Sequence, residues 1–291
     1  MEKEIDPRTL SEISRLKSIG WENMDRESKF LHIPSSKTKR SISFPEEAYD
    51  PNQTNEVAGS VWAESRANVI IKEMDLNGID LIWEIGAGDG NVAIPLRNSG
   101  KTVIAVEPLR TGAESLAKDG FVTYLATLED LKLPSSSLVS IGMFDVLEHI
   151  ENPNMVLQEV HRVLKPNGKL LITVPANQFL FSDFDISIGH FKRYSKKSLE
   201  EMLLENNFEI SRVFYFFFLL VLPAIFLRAI PYRLGRKRQY VRTAKSNKAQ
   251  NQMMKIAAPI LRKIFKLEAQ IPLPTGLSLF AIASKKHVSR V

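Results

Sequence analysis

Cysteine is absent from all 291 residues. That excludes disulfide bridges and thiolate metal sites, and agrees with a reducing compartment. Acidic residues are missing from one long stretch: residues 210–267 hold thirteen Lys and Arg and no Asp or Glu. Since the whole chain carries +6, everything outside that stretch is net −7, so the basic excess belongs to one segment. Also missing is an apolar run of the ~20 residues that a membrane span needs. The nearest approach, 213–227, is fifteen residues long and contains Pro223. The opening Met1-Glu2-Lys3-Glu4 lacks the charged-then-apolar form of a signal peptide. These absences predict a cytoplasmic protein, with contact at the inner membrane surface left open by the basic segment.

What is present begins with an apolar run, 79–83, that enters Glu84-Ile85-Gly86-Ala87-Gly88-Asp89-Gly90. A buried strand turns there into a helix, and glycine lets the backbone approach a ligand closely because it has no Cβ. A second strand, 103–106, ends in Glu107-Pro108, about twenty residues after the loop starts. An acid at that strand tip is placed to accept hydrogen bonds from a ribose diol. The glycines follow G-x-G-x-G rather than the G-x-G-x-x-G of a pyrophosphate-binding loop. Glu84 before the glycines and Asp89 among them would repel a pyrophosphate but suit a cationic sulfonium and its amino group.

Further strands are expected at 121–125, 138–144 and 169–174, with a helix over 155–164 ended by Lys165-Pro166-Asn167-Gly168. The loop, DVLEHIENP at 145–153 and VLKPNGKLLITVP at 163–175 together resemble class I S-adenosylmethionine-dependent methyltransferases, in the group that includes the ubiquinone-pathway O-methyltransferases. The resemblance implies S-adenosyl-L-methionine as cofactor. It also implies an α/β, doubly wound, Rossmann-like, mostly parallel sheet of seven strands, with a basic, partly apolar helical insertion before the last strand. Cofactor contacts are expected from Glu84, Gly86, Ala87, Gly88, Asp89, Gly90, Glu107, Pro108, Thr127, Leu128, Phe144 and Asp145. Many relatives carry Asp where this chain has Thr127, so backbone groups near Leu128 are left to meet the adenine amine. Trp62 and Arg66 stand at a spacing that in similar enzymes lies near the cofactor mouth; packing of Trp62 on the sheet is the alternative.

Proton handling is assigned to two of the five histidines. His149 leaves the fourth strand, and His190 lies in GHFKRY at 189–194, where similar enzymes close over the acceptor. His149 also admits a purely positioning role. Arg193 and Tyr194 are expected to bind an anionic or sugar-bearing acceptor. Asp145, Glu148 and His149 share a helical face that would suit a hard cation, but capping explains an acid there more simply, and no metal is assigned.

Three parts are expected. Residues 1–55 form a polar arm or partial lid; 56–217 and 273–285 form the sheet domain; 218–272 form the insertion. The insertion's aromatic and aliphatic bulk beside Arg228, Arg233, Arg236, Lys237 and Arg238 matches what a membrane surface attracts. A lid over the pocket or a homodimer contact is the competing use, and nucleic acid is the least expected partner. GHFKRY and LPTGLSLFAIASKK at 273–286 resemble bacterial methyltransferases linked to glycosyltransferases and surface-polysaccharide assembly. The expected reaction is O-methylation of a lipid-linked sugar, glycan or isoprenoid-type acceptor. Methylation of a soluble quinone-type metabolite, or cofactor binding without turnover at a membrane, are the alternatives.

Overall fold

The computed structural model describes residues 3–21, 24–34, 61–236, 258–268 and 271–286. Its centre is one twisted sheet. Five parallel strands form its core: β3 (Leu81–Ile85), β4 (Thr102–Val106), β5 (Thr123–Tyr124), β6 (Leu138–Phe144) and β7 (Leu164–Pro175). The last two, β8 (Phe208–Phe216) and β9 (Ser278–Lys285), run antiparallel to each other, and β9 is also antiparallel to β7. Every residue of β4 and nearly every residue of β3 and β9 is buried. Strands covered on both faces read as continuous apolar runs, which is why these segments lack polar alternation.

The expected seven strands are there, and the N-terminus adds two more. Strands β1 (Met24–Arg26) and β2 (Leu31–Pro34) form a hairpin, and β2 pairs in parallel with β5. The order is β1-β2-β5-β4-β3-β6-β7-β9-β8. The residues read as a polar arm are thus partly built into the sheet. Helix α1 (Pro7–Ser18) starts with Pro7 at its first turn and Asp6 accepting the Arg8 N–H at 2.8 Å, an arrangement that fixes a helix start locally. It delivers Leu16 and the following Trp21, both buried, to the main core. The Trp21 ring meets Trp83 and Tyr124 edge-on at centroid distances of 6.0 and 5.5 Å, and its Nε1–H donates to Leu131 O at 2.8 Å. Polar spacing hid this contribution, because one tryptophan and one leucine carry most of the burial.

Helices α2 (Val61–Leu76), α3 (Ala93–Asn98), α4 (Arg110–Lys118), α5 (Pro153–Val163), α6 (Asp183–Ser187) and α7 (Lys196–Glu205) complete the domain. After β8 the apolar run divides. Phe216 and Phe217 are buried, with Phe217 stacked on Trp62 at 4.0 Å and edge-on to Phe265 at 4.8 Å. From Phe218 onward the chain is helical to Arg233, with a wider π turn at Ile225–Ala229. A second helical stretch covers 258–268. The Glu268 carboxylate accepts the N–H groups of Phe218 and Leu219 at 3.0 and 2.9 Å, tying the far end of the insertion to its beginning. Lys237 and Arg238 lie outside the described residues. Among the described residues no helix is long and apolar enough to cross a membrane.

Replacing Trp21 by Ala removes a buried ring and a hydrogen bond at once. We expect a loss of about 3–5 kcal/mol of stability, read as a lower denaturant midpoint. An unchanged midpoint would show that the N-terminal element is not part of the cooperative core.

Candidate active site

The carboxyl ends of β3, β4 and β6 converge on one cavity of about 600 Å³. The chain leaves β3 through Gly86, Gly88 and Gly90, all with φ between 60° and 89°. A Cβ at Gly86 would lie 2.8 Å from Val146 Cγ2, so the loop fits only without one. From the other side α4 presses close: a Cβ on Gly112 would sit 2.7 Å from Gly88 O. Gly112 was no part of the sequence motif. Its need is tertiary, so no local pattern announces it.

Glu107, just past β4, is buried and accepts the N–H groups of Gly88 and Leu109 at 2.7 and 2.8 Å. Burial nevertheless pushes its carboxyl up to about 7. Glu84 is buried too, one oxygen has no hydrogen-bond partner, and burial raises it to about 8 although the Arg66 charge opposes the shift. Asp145 occupies a left-handed backbone conformation at φ 56°. It is held there by an ion pair with Arg66 and by the Thr173 hydroxyl, which donates at 2.9 Å. Buried carboxyls facing a cavity are stabilised by a cationic ligand. Glu107, with both oxygens fixed at a strand tip, retains lone pairs for further donors.

Beyond Asp145 lies a second cluster. The rings of His149 and His190 meet edge-on, with centroids 4.7 Å apart. His149 Nδ1 lies 3.3 Å from Gly189 O. A carbonyl only accepts, so this contact puts the proton on Nδ1 and the lone pair on Nε2. Burial, and then the neighbouring His190, push His149 down to about 4, so it is neutral near pH 7. His190 Nδ1 donates to Asp185 Oδ1 at 3.0 Å, and its Nε2 is 3.7 Å from Glu148 Oε1. Glu148 is fully buried, its two oxygens make no hydrogen bond, and burial followed by the Asp145 charge raises it far above the carboxylate range. Burial would raise Asp185 as well, but hydrogen bonds and charge from His190 and Arg193 hold it low. Glu148, His149 and His190 bring ligand-capable atoms within 4.8 Å of one another. This grouping has His190 in place of the Asp145 considered from sequence.

Residues 78–213 match a family model described as a methyltransferase domain. An uncharacterised methyltransferase of Oceanobacillus iheyensis is 31% identical over 129 residues, covering 42% of this chain and 60% of its own. The ubiquinone biosynthesis O-methyltransferase of Rickettsia typhi is 30% identical over 118 residues, covering 37% and 48%. This chain therefore spans about half the length of the curated relatives it matches. In fold it is similar to an S-adenosylmethionine-dependent methyltransferase of Thermotoga maritima, a possible histamine N-methyltransferase, at TM-score 0.54 and 19% identity over 83% of this chain and 97% of that one. Residues 78–213 form a methyltransferase domain. The unpartnered Glu84 oxygen together with the fixed Glu107 carboxylate would fit the charge and hydroxyls of S-adenosylmethionine, on which the Thermotoga maritima protein depends.

In this methyltransferase domain most expected site residues meet at the cavity. Glu84, Gly86, Ala87, Gly88, Asp89, Glu107, Pro108, Thr127, Leu128, Phe144 and Asp145 line it, and Gly90 does not. Thr127 and Asp130 cap one another through Thr127 N–H to Asp130 Oδ2 at 3.2 Å and Asp130 N–H to Thr127 Oγ1 at 3.3 Å, a local turn rather than a distant contact. Trp62, Arg66, His149, His190 and Arg193 also reach the wall. Tyr194 does not. Its phenol is buried and donates to Leu147 O at 3.1 Å, so it braces the strand exit instead of meeting an acceptor. Arg193 is largely committed as well, donating to Asp185 at 2.7 Å and to Ala176 O at 3.3 Å. Asp185 was missed, although Ser182-x-x-Asp185 is a capping-box pattern that the sequence displays. Arg228, which lines the cavity from the insertion and stacks over Phe184 at 4.3 Å, had no local signal.

Two measurements follow. Glu107→Ala should weaken S-adenosylmethionine binding by ~1.5–3 kcal/mol in calorimetry of the folded variant; unchanged affinity would remove its role. The folded-state values of Glu84 and Glu107, about 8 and about 7, lie above the ordinary 4.5. The folded ligand-free protein therefore keeps protons that the unfolded chain releases, and its stability should fall as pH rises from about 4.5 to about 8. Glu84→Gln should flatten that decline in thermal melts; an unaltered slope would contradict the assignment.

Proposed function

We propose that this chain transfers a methyl group from S-adenosylmethionine to an oxygen of a lipid-linked sugar, glycan or isoprenoid-type acceptor, with His149 as general base. The observation that carries the reading is the His149–His190 pair in the wall of the cavity. The cofactor supplies a methyl group that is already electrophilic, so the protein's task is alignment and proton removal. His149 is neutral, its Nδ1–H is spent on Gly189 O, and its lone pair is on Nε2. A base this weak is adequate, because a hydroxyl oxygen acquiring a methyl group becomes strongly acidic. His190, held by Asp185, orients the pair. Phe184 and Ile188 give the acceptor end an apolar wall, and Arg228 adds a cation for a polar or anionic group.

The name of the Rickettsia typhi relative favours a quinone-type hydroxyl as the second acceptor class. A cofactor-binding protein without turnover accounts less well for a neutral histidine aimed at the methyl-transfer cavity. Incubating the enzyme and labelled S-adenosylmethionine with extracted lipids and with polar metabolites separates the three: the proposal expects label in the lipid fraction.

Single His149→Ala and His190→Ala variants should lower turnover ~10²–10⁴-fold with cofactor affinity nearly intact. Near wild-type rates in both would remove the base. Because His149 sits at about 4, the rate should stay flat from neutral pH down towards that value, whereas a break near 6.5 would contradict it. Turnover should also survive a chelator. Loss on chelation, restored by a divalent cation, would reassign Glu148, His149 and His190 to a metal.

A further inference from the structure

The helical segment after Phe217 has two unlike sides. One faces the domain: Val221, Ala224 and Ala229 are buried, Arg228 stacks on Phe184 at the cavity wall, and Arg233 donates to Phe179 O at 2.8 Å. The other is bare. Phe218, Leu222, Phe226, Ile230 and Leu234, at every fourth position, are 44%, 62%, 64%, 38% and 67% exposed. On a regular α-helix such positions drift by about 40° per step, which would wind the row around the axis. The π turn at Ile225–Ala229 adds backbone in mid-segment and holds the drift back. Leu219 and Leu227 widen the same ridge, and Leu267, beside the Glu268 that grips Phe218 and Leu219, extends it.

Apolar exposure on this scale marks a contact site rather than scattered surface residues. Charge selects the occupant. The segment from 210 to 267 has thirteen cations and no acid. A symmetric pair of copies would set two such segments face to face, which like charge opposes. Nucleic acid would meet the cations but leave the aliphatic ridge in water. An anionic bilayer satisfies both, with headgroups for the cations and acyl chains for the ridge.

We propose that the ridge over 218–234 docks the enzyme on an anionic bilayer surface, with the Arg228 side of the same helix facing the active-site cavity. This rests on surface shape and charge and holds whichever acceptor is methylated. A lipid-borne acceptor would then pass along the helix from the interface to the cavity without leaving an apolar path.

The test is cosedimentation of the full chain with equimolar phosphatidylglycerol–phosphatidylcholine vesicles and with pure phosphatidylcholine vesicles. Binding should be at least about tenfold stronger to the anionic set. It should weaken as salt shortens the screening length from ~10 Å at 0.1 M to ~3 Å at 1 M. The triple variant Leu222→Ser, Phe226→Ser, Leu234→Ser changes only exposed positions outside the cavity. It should lose about tenfold in vesicle binding and keep S-adenosylmethionine affinity, which also reports that it is folded. Equal binding to both vesicle types, none to either, or a triple variant that binds as before would overturn the proposal. So would tighter binding to duplex DNA than to vesicles, or a dimer in light scattering that the triple variant dissolves.

Discussion

The structure depends on the desolvation of carboxyl groups at three neighbouring strand ends. Glu84, Glu107 and Glu148 follow or end β3, β4 and β6, and none is more than 2% exposed. Parallel pairing makes that crowding unavoidable, since it brings all carboxyl ends to one edge of the sheet. Few partners offset the cost. Backbone N–H groups hold Glu107, Arg66 stands near Glu84 while pairing with Asp145, and the two carboxyl oxygens of Glu148 have no hydrogen-bond partner. A site that keeps acids protonated in the absence of ligand is poised for a cation, and glycine at 86 and 112 lets Val146 and the Gly88 carbonyl pack closely around the loop.

Topology then decides where the insertion stands. Strand β9 is antiparallel to β7 and to β8, so β8 points the same way as the parallel strands. The chain leaving β8 therefore emerges at the cavity edge, and anything placed between β8 and β9 becomes its rim. Leu277 and Ser278 at the return and Arg228 in the insertion all line the cavity. A Cβ on Gly276 would meet Phe216 O at 2.3 Å, which shows how tightly departing and returning chains are pinched together. Function at the rim and chemistry in the cavity are thus joined by chain direction, not by a separate domain.

Sequence carried the sheet well where burial on both faces left uninterrupted apolar runs. Strand β6 matches its expected span, and β3 and β4 are within one or two residues at each end. The cofactor loop was readable because glycine and acid spacing is a local property. Less was readable where partners are distant in sequence. Trp21 looks like an isolated aromatic in a polar stretch until Trp83 and Tyr124 are brought to it. Glu268 reads as the first acid after a basic stretch, yet its carboxylate closes the insertion on Phe218 and Leu219. Tyr194 sits in the expected acceptor motif but turns away to Leu147, an orientation that no spacing rule supplies.

Buried, protonated carboxyls at the strand ends are suited to a cationic cofactor. A positive ligand must then lower their pKa values and expel protons. Titration of S-adenosylmethionine into the full chain near pH 7, in buffers of different ionisation enthalpy, measures those protons directly. One-to-one binding with net proton release, reduced in Glu84→Gln, is expected. Binding with no proton exchanged, or no binding at all, would contradict it.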